Sequence, residues 1–207
     1  MSLNKKNTKF IYLISPNKIE DDEFYTNLSL VLKSGKVSYF QLRLKKETIK
    51  NKLIIGKKIL KICKKYKVKF LVNDDPMIAK KLNADGCHLG QSDMGIVNAR
   101  KLLKNKIIGV TCHNSIKLAK KGISDGADYL AFGAFYSTQT KKVKYRANLR
   151  ILKSIKKITT LPVVAIGGIK LNNYKKLLLN KANFLAISGY IWNNKKYKPL
   201  EAIKKLR

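Results

Sequence analysis

The stretch Tyr39-Phe40-Gln41-Leu42-Arg43-Leu44-Lys45 alternates apolar and polar side chains with a period of two, which is the pattern of a β-strand. The β-branched Val37 leads into it. In a closed parallel barrel, helices cover the outer face of every strand and the inner face points at the barrel axis. Gln41, Arg43 and Lys45 would then form a column of polar side chains that rises to the C-terminal mouth of the barrel, where two positive charges favour an anionic ligand. The alternative is an exposed strand of an antiparallel sheet.

The rest of the chain favours the barrel, because short apolar segments alternate with amphipathic helical segments along its whole length. Such alternation is typical of a parallel sheet, and eight units in about 200 residues favour a closed (β/α)8 TIM barrel, an α/β fold, over an open doubly wound sheet. Neither a linker nor a break in composition occurs, so we predict one domain over residues 1–207, with residues 1–9 frayed. The predicted strands are 10–14, 39–45, 69–72, 85–89, 107–111, 127–132, 162–166 and 184–187, and the predicted helices are 24–33, 47–66, 76–82, 94–103, 115–124, 149–158, 172–180 and 199–206.

The composition is that of a globular chain with an extreme positive charge. Of the 207 residues 45% are apolar, and 45 Lys and Arg against 12 Asp and Glu give a formal net charge of +33. Only five of these cations are Arg, and the lysines are spread along the chain, so we favour a solvated Lys-rich surface over a nucleic-acid-binding face.

Membrane insertion and disulfide formation are both disfavoured by the sequence. No apolar run approaches the roughly 20 residues that a bilayer span needs. The three cysteines lack metal-ligand spacing and are odd in number, which fits a reduced, cytoplasmic protein. Assembly into a homo-oligomer is compatible with the sequence, which does not determine it. The cysteines are Cys63, Cys87 and Cys112.

Acidic and amide residues follow the third and fourth predicted strands. Asn73 and Asp74 end one strand and Asp93 follows the next, whereas Asp75 is placed to cap a helix that starts at Pro76. A lone aspartate in such a position is usually a helix cap. Two carboxylates on neighbouring mouth loops, beside cations that suit a diphosphate, are instead what Mg²⁺ takes as ligands while it keeps some of its waters.

Glycine-containing turns follow the last two predicted strands. They are Ile166-Gly167-Gly168-Ile169 and Ile187-Ser188-Gly189, and the loops at these positions form the usual phosphate site of such barrels through backbone N–H groups. Tight turns without a ligand are the alternative. The polar loop Thr138-Gln139-Thr140-Lys141 after strand six could close on a phosphate, or be a solvated loop. His88 and His113 are predicted to be hydrogen-bonded structural residues, because no second ligand stands at a metal spacing.

Together and in this order, these motifs resemble the thiamine phosphate synthase family, over nearly the whole chain from Tyr12 to Ser188. The motifs that carry the resemblance are Gln41-x-Arg43-x-Lys45, Asn73-Asp74, Asp85-Gly86-x-His88-x-Gly90-Gln91-x-Asp93, Thr138-x-Thr140-Lys141 and Ala165-Ile166-Gly167-Gly168-Ile169.

The resemblance implies an activity, its phosphorylated small-molecule substrates and a map of the site. It implies a Mg²⁺-dependent transferase that joins 4-amino-5-hydroxymethyl-2-methylpyrimidine diphosphate to thiazole phosphate and releases pyrophosphate. Arg43, Lys45 and Lys141 would be the catalytic cations, and Asp74 and Asp93 the ligands of Mg²⁺. The pyrimidine diphosphate would be held by Gln41, Arg43, Lys45, Asn73, Thr111 and Lys141, and the thiazole phosphate by Thr138, Thr140, Gly168, Ile187 and Ser188.

The chain departs from the family pattern at five positions. Thr111 stands where the family usually has Ser, Ala134 where it has Pro, and Asn148 near the position of an expected glycine; the bulky Tyr190 and Trp192 follow Ser188. Three alternatives remain open. They are a thiazole tautomerase-like enzyme of the same fold, a non-catalytic binder of thiamine precursors, and a nucleic-acid binder driven by charge.

Overall fold

A computed structural model describes residues 9–138 and 145–206, and within these ranges the chain forms a closed barrel of eight parallel strands. The strands neighbour one another in sequence order, and β8 closes onto β1 by parallel pairing of Leu13 with Ile187. The predicted (β/α)8 barrel is therefore confirmed, and the antiparallel alternative is wrong. The strands are β1 Ile11–Ile14, β2 Val37–Leu42, β3 Lys69–Asn73, β4 Gly86–Leu89, β5 Ile107–His113, β6 Tyr129–Gly133, β7 Val163–Ile166 and β8 Phe184–Ile187.

Helices connect the strands and cover the outside of the barrel. Among the described residues they are α1 Glu23–Lys33, α2 Ile49–Lys65, α3 Pro76–Lys81, α4 Ile96–Leu103, α5 Ile116–Ser124, α6 Arg150–Ile155, α7 Tyr174–Leu179, α8 Gly189–Trp192 and α9 Pro199–Lys205. The four-residue α8, directly after β8, was not predicted. Within the described ranges, every helix is too short or too polar to cross a membrane.

The second strand ends earlier than predicted. It was predicted to run to Lys45, but it stops at Leu42, and a turn follows at Lys45. The reason is a side-chain hydrogen bond from the residue that follows the neighbouring strand β1, because the backbone N–H of Arg43 donates to Ser15 Oγ at 2.9 Å. Arg43 and Lys45 therefore lie on the loop above the strand, and the predicted column of three on one strand is wrong in that respect.

The core has an inner and an outer layer, and β2 shows how the sequence divides between them. Phe40 and Leu42 belong to the large outer layer between the barrel and the helices. Tyr39 packs against the smaller inner layer around Tyr12 and Tyr129, and Gln41, also buried, shares its face of the strand. The predicted alternation of faces in this strand is confirmed.

A repeated hydrogen-bond clamp ties the N-terminal ends of the strands together. The residue just before β4, β6 and β8 uses its backbone N–H and its side-chain oxygen to bond both backbone groups of a residue near the start of the preceding strand. The side-chain bonds measure 2.9 Å from Phe70 N to Asp85, 2.7 Å from Ile108 N to Asp128, and 2.9 Å from Val163 N to Asn183. The reciprocal backbone bonds measure 2.7 to 2.8 Å.

We expect the clamp at Asp128 to tolerate an amide but not a methyl group. Asp128→Asn keeps an acceptor for the buried Ile108 N–H, as Asn183 does in its own unit, and weakens only the pair with Arg100, whose side chain is 31% exposed. Its cost should stay below about 1 kcal/mol, because exposed ion pairs are worth little. Asp128→Ala leaves the buried Ile108 N–H without its acceptor and should lower the free energy of unfolding by about 1–3 kcal/mol. Urea unfolding of both variants checks this, and equal losses would contradict it.

Candidate active site

Two amide side chains lie side by side where β2 and β3 reach the C-terminal mouth. Gln41 is 3% exposed, and its side-chain NH₂ donates to the side-chain oxygen of Asn73, the last residue of β3. The strands place them together because Gln41 pairs in register with Leu71, two residues before Asn73. The remaining amide hydrogens and oxygens of this pair can bind the polar edge of a heterocycle.

A lysine and an aspartate form an ion pair just above these amides. Lys45 Nζ lies 3.0 Å from Asp74 Oδ2. Asp74 has a φ of +67°, a left-handed conformation that is uncommon for a residue other than glycine, and its backbone N–H donates to the carbonyl of His88 at 2.8 Å. The bond to the neighbouring strand β4 stabilises this conformation and fixes the position of Asp74 at the mouth.

A second carboxylate lies next to Asp74. Asp93 follows β4, and its Oδ2 accepts the backbone N–H of Gly90 at 2.6 Å. Burial raises the pKa of Asp93, and the adjacent Asp74 raises it further, against the opposing effects of the Gly90 N–H and the Lys45 charge. Two crowded carboxylates that share one ammonium favour the arrival of a cation.

Asp74 and Asp93 together offer a metal ion two carboxylates. Within residues 9–138 and 145–206, no group of three or more His, Cys, Asp or Glu side chains is arranged to hold a metal ion. Two carboxylates alone fit a cation that takes its other ligands from water and from substrate oxygens. Mg²⁺ is usually bound in this way in phosphate-binding sites, so the two carboxylates fit a Mg²⁺ ion.

Arg43 lies at the mouth beside the loop that follows β1. Its guanidinium donates to Asn17 Oδ1 at 3.1 Å, and burial lowers its pKa while the Asp74 charge opposes that shift. Ser15 and Asn17, which follow the first strand, were not predicted as site residues. Both in fact position Arg43, and the signal that could have found them is the polar run Ser15-Pro16-Asn17 at the C-terminal end of a barrel strand.

The loops after β6 and β7 lie against each other. Gly168 has a φ of +62°, and a Cβ there would lie 2.2 Å from the carbonyl oxygen of Ser137. Tyr136 N–H donates to the carbonyl of Gly167 at 3.1 Å. The segment that leads to Thr138 therefore crosses directly over the Gly167-Gly168 turn, which only glycine permits. Thr140 and Lys141 lie outside the described residues.

The end of β8 offers backbone groups more than side chains. The side chain of Ile187 packs in the outer core, away from the mouth. The hydroxyl of Ser188 donates to the carbonyl of Ser15 at 3.0 Å. Helix α8 starts directly afterwards, and the first N–H groups of a helix have no partner inside it. An anion at this end would therefore be bound chiefly by N–H groups.

Comparison with known proteins agrees with this geometry. The sequence model of a family described as thiamine monophosphate synthase matches residues 11–191. The chain belongs to this family. It is 79% identical over 207 residues to the thiamine-phosphate synthase of Pelagibacter ubique, with both chains covered completely. It is 36% identical to the thiamine-phosphate synthase of Nitrosomonas eutropha over 184 residues. The matched segment covers 88% of this chain and 86% of that relative.

A solved structure of the same description shares the barrel. The thiamine phosphate pyrophosphorylase from Pyrococcus furiosus superposes with a TM-score of 0.85 at 27% sequence identity, over 99% of this chain and 96% of that one. The resemblance to the thiamine phosphate synthase family that the motifs indicated is thus confirmed.

The bulky departures from the thiamine monophosphate synthase pattern lie outside the barrel lumen. Trp192 donates its ring N–H to the carbonyl of Ile14 at 2.7 Å and packs against Phe24, with ring centroids 5.2 Å apart. Tyr190 also packs against the outer core. Asn148, near the expected glycine, accepts the Ile151 N–H at 3.3 Å and so bonds the first turn of α6.

Both histidines have contacts within the fold, and the predicted hydrogen bonding is confirmed for His88. His88 bonds Tyr129 through Nδ1 and Thr111 through Nε2, at 2.8 and 2.9 Å. His113 stacks on Tyr145 with ring centroids 4.4 Å apart. Thr111, assigned to the pyrimidine diphosphate by the family resemblance, therefore stands at the end of a chain of buried hydrogen bonds.

A groove of about 520 Å³ lies elsewhere, at the N-terminal ends of β7 and β8. Lysines dominate its walls, and the opposite end of the barrel carries the groups described above. Active sites of such barrels lie at the C-terminal end of the strands, so we place the candidate site at the mouth. The groove is lined by Lys153, Lys156, Lys157, Leu178, Lys181, Ala182 and Asn183.

We expect Asp93→Asn to remove a pH-dependent destabilisation. Because the folded-state pKa of Asp93 is raised, the wild type loses stability as pH rises through the carboxyl range, and the amide does not. The variant keeps an acceptor for Gly90 N–H. Its gain relative to wild type should therefore be larger at pH 7 than at pH 3, and stay below about 1 kcal/mol, because water still screens this half-buried group.

Urea unfolding at the two pH values measures this gain, with Asp93→Ala as the control that loses the bond to Gly90. A gain that is the same at both pH values would show that the folded-state pKa of Asp93 is not raised.

Proposed function

We propose that this chain is a thiamine phosphate synthase that joins 4-amino-5-hydroxymethyl-2-methylpyrimidine diphosphate to thiazole phosphate and releases pyrophosphate. The observation that carries the proposal is the meeting of Arg43, the Lys45–Asp74 pair and Asp93 at one barrel mouth. They meet in a chain that is 79% identical throughout to a thiamine-phosphate synthase.

The pyrimidine diphosphate binds on the β2–β3 side. The Gln41–Asn73 amide pair takes the polar edge of the pyrimidine, since amides match its donors and acceptors. Arg43 and Lys45 take the diphosphate, because a planar guanidinium and a compact ammonium together neutralise its charge. By family resemblance Thr111 and Lys141 complete this half.

The thiazole phosphate binds on the β7–β8 side. Residues 136–138 pass tightly over Gly168 on this side, and α8 starts beside them, so the phosphate would be bound by backbone N–H groups of the glycine turn and of the start of α8. Because the Ser188 hydroxyl already donates a hydrogen bond to the backbone carbonyl of Ser15, its backbone suits the phosphate better than its side chain. Thr138, Thr140 and Ile187 belong to this half by family resemblance.

The reaction needs charge stabilisation and proximity more than proton transfer. The C–O bond to the diphosphate breaks with its electron pair on the leaving oxygen, and a pyrimidine-stabilised cation forms. The lone pair of the thiazole ring nitrogen then makes the new C–N bond. Arg43 and Lys45 stabilise the charge that grows on the diphosphate, and the two halves of the mouth hold the reactants together.

Mg²⁺ is the cofactor that the carboxylate pair would accept. Asp74 and Asp93 would hold it, and when bound it would neutralise part of the diphosphate charge. Burial and the nearby Asp74 carboxylate raise the pKa of Asp93, and this supports the assignment, because a bound divalent cation would stabilise both carboxylates in their charged form. The tautomerase alternative needs a proton-moving side chain near the thiazole, and Ala134 supplies none.

The direct test is a reaction with purified protein. Incubation with both substrates and Mg²⁺ should release pyrophosphate and give thiamine phosphate by mass. Omission of either substrate, excess chelator, or Asp93→Asn should each stop the release. Undiminished turnover in chelator would contradict the metal assignment, and isomerised thiazole phosphate without pyrophosphate would favour the tautomerase.

Arg43→Ala should lower kcat and not merely raise KM. The guanidinium faces charge that develops in the transition state, and removal of one such preorganised group typically costs about 10²–10³-fold in rate. Arg43→Lys should recover only part, because an ammonium lacks the planar fork that reaches Asn17.

The control is Lys157→Ala, an exposed lysine at the opposite end of the barrel. Steady-state kinetics of the three variants measure the effect. Equal losses for Arg43→Ala and Lys157→Ala would mean that net charge, and not the mouth, is responsible.

A further inference from the structure

A continuous chain of hydrogen bonds runs through the barrel interior to the mouth. Tyr12 Oη lies 2.8 Å from Tyr129 Oη, Tyr129 Oη lies 2.8 Å from His88 Nδ1, and His88 Nε2 lies 2.9 Å from Thr111 Oγ1. Tyr12, Tyr129 and His88 are 2%, 4% and 9% exposed. Thr111, near the C-terminal end of β5, is half-buried, so the chain begins in the closed core and ends where substrate can reach it.

A single glycine makes the chain sterically feasible. A Cβ on Gly109 would lie 1.8 Å from the Tyr129 ring. Gly109 and Tyr129 pair in register on β5 and β6, so the ring crosses over the glycine toward the axis. There it contacts the ring of Tyr12, with centroids 5.8 Å apart, and that of His88, at 5.6 Å. The ring is therefore fixed by packing on both sides.

The number of protons along the chain determines the direction of its hydrogen bonds. Both tyrosines keep their protons, because burial raises the pKa of each phenol. Among the described residues, the hydroxyl of Tyr12 is hydrogen-bonded to the hydroxyl of Tyr129. Its proton must therefore go to Tyr129 Oη, since a buried donor without an acceptor carries its full desolvation penalty.

Each further bond then has one direction. Tyr129 accepts from Tyr12 and donates its own proton to His88 Nδ1, so that nitrogen carries no hydrogen. A neutral ring with an unprotonated Nδ1 carries its hydrogen on Nε2, which donates to Thr111 Oγ1. Any arrangement with a hydrogen on Nδ1 leaves one buried tyrosine proton without an acceptor on this chain.

We propose that His88 is a positioning residue, which the two tyrosines hold in the Nε2–H form so that Thr111 presents its own hydroxyl proton to the mouth. With its oxygen occupied by the His88 N–H, Thr111 can act toward a ligand as a donor. A donor at that place suits an anionic oxygen of the pyrimidine diphosphate, and this part rests on the proposed function. The order of bonds from Tyr12 to Thr111 does not.

The tautomer can be read directly, because the chain has only two histidines. In protein with ¹⁵N-labelled histidine, long-range ¹H–¹⁵N correlation spectra distinguish Nε2–H from Nδ1–H rings, and His113→Gln assigns the two signals. We expect the His88 ring as Nε2–H. An Nδ1–H ring would overturn the proposal. An Nε2–H ring in a protein that releases no pyrophosphate would confirm the direction of the chain and overturn the proposed function.

Two tyrosine variants form a matched pair for the same measurement. Tyr12→Phe leaves Tyr129 as the donor to Nδ1, so the ring should stay Nε2–H. Tyr129→Phe removes that donor, so the Nε2–H form loses its bond at Nδ1 and its share should fall relative to wild type. A ring that is unchanged in Tyr129→Phe would mean that the tyrosines do not select the tautomer.

Kinetics then test whether His88 acts through Thr111. His88→Asn keeps a polar group near Tyr129 but does not reach Thr111, and it should lower kcat/KM for the pyrimidine diphosphate on the order of 10- to 100-fold, the worth of a hydrogen bond to a charged group. His88→Gln, whose longer amide can donate to Thr111, should recover part of the loss.

A double-mutant cycle separates positioning from mere stabilisation. If His88 acts through Thr111, His88→Asn should have little further effect in a Thr111→Val background. Losses that multiply in the double variant would overturn the proposal and leave His88 a structural residue.

Discussion

Closure of eight parallel strands into one barrel is the constraint on which the rest of this structure depends. Closure leaves an axis that only side chains at alternate strand positions can fill. Any polar side chain placed there must find its partner inside, because a buried polar group without a hydrogen bond is costly. Tyr12, Tyr129 and His88 meet this requirement with one continuous chain of hydrogen bonds. The same closure brings the carboxyl ends of all strands to one rim, where residues distant in sequence meet.

The polar side chains at the two ends of the barrel have different roles. At the N-terminal end, Asp85, Asp128 and Asn183 repeat one clamp on neighbouring strands, and a neutral amide serves as well as a carboxylate. At the mouth, Asp74 and Asp93 are crowded together, and burial together with this crowding raises the pKa of Asp93. The clamps satisfy backbone groups and stabilise the fold, whereas the mouth holds unfavourable charge that a ligand would relieve. This division is typical of such barrels.

The net charge of +33 is a poor guide to the site. A surface of lysines attracts any polyanion, and its selectivity is low. The mouth differs from that surface because Lys45 is paired with Asp74, and Arg43 is fixed by Asn17. A mixed set of cations and paired carboxylates suits an anion that brings a divalent metal ion with it. Charge on the surface and chemistry at the mouth are therefore separate properties of this chain.

Several features were determined by local sequence alone. The period of two in residues 39–45 correctly assigned Phe40 and Leu42 to the outer layer and Gln41 to the inner face. Asp75 before Pro76 correctly marked the start of α3, and its side chain accepts the Ile78 N–H. Such patterns are readable because neighbours in sequence fix backbone hydrogen bonds and the direction of side chains.

Other features were decided only by the tertiary structure. Strand β2 ends at Leu42 because Ser15, which follows β1, accepts the next N–H, and no pattern within residues 39–45 records that. Helix α8 was missed because four residues show no period. Tyr12 and Tyr129 are 117 residues apart, yet their contact orients the bonds that reach His88 and Thr111. The sequence determined which side chains face the axis, but only barrel closure decided which of them meet, because partners across the axis share no local pattern.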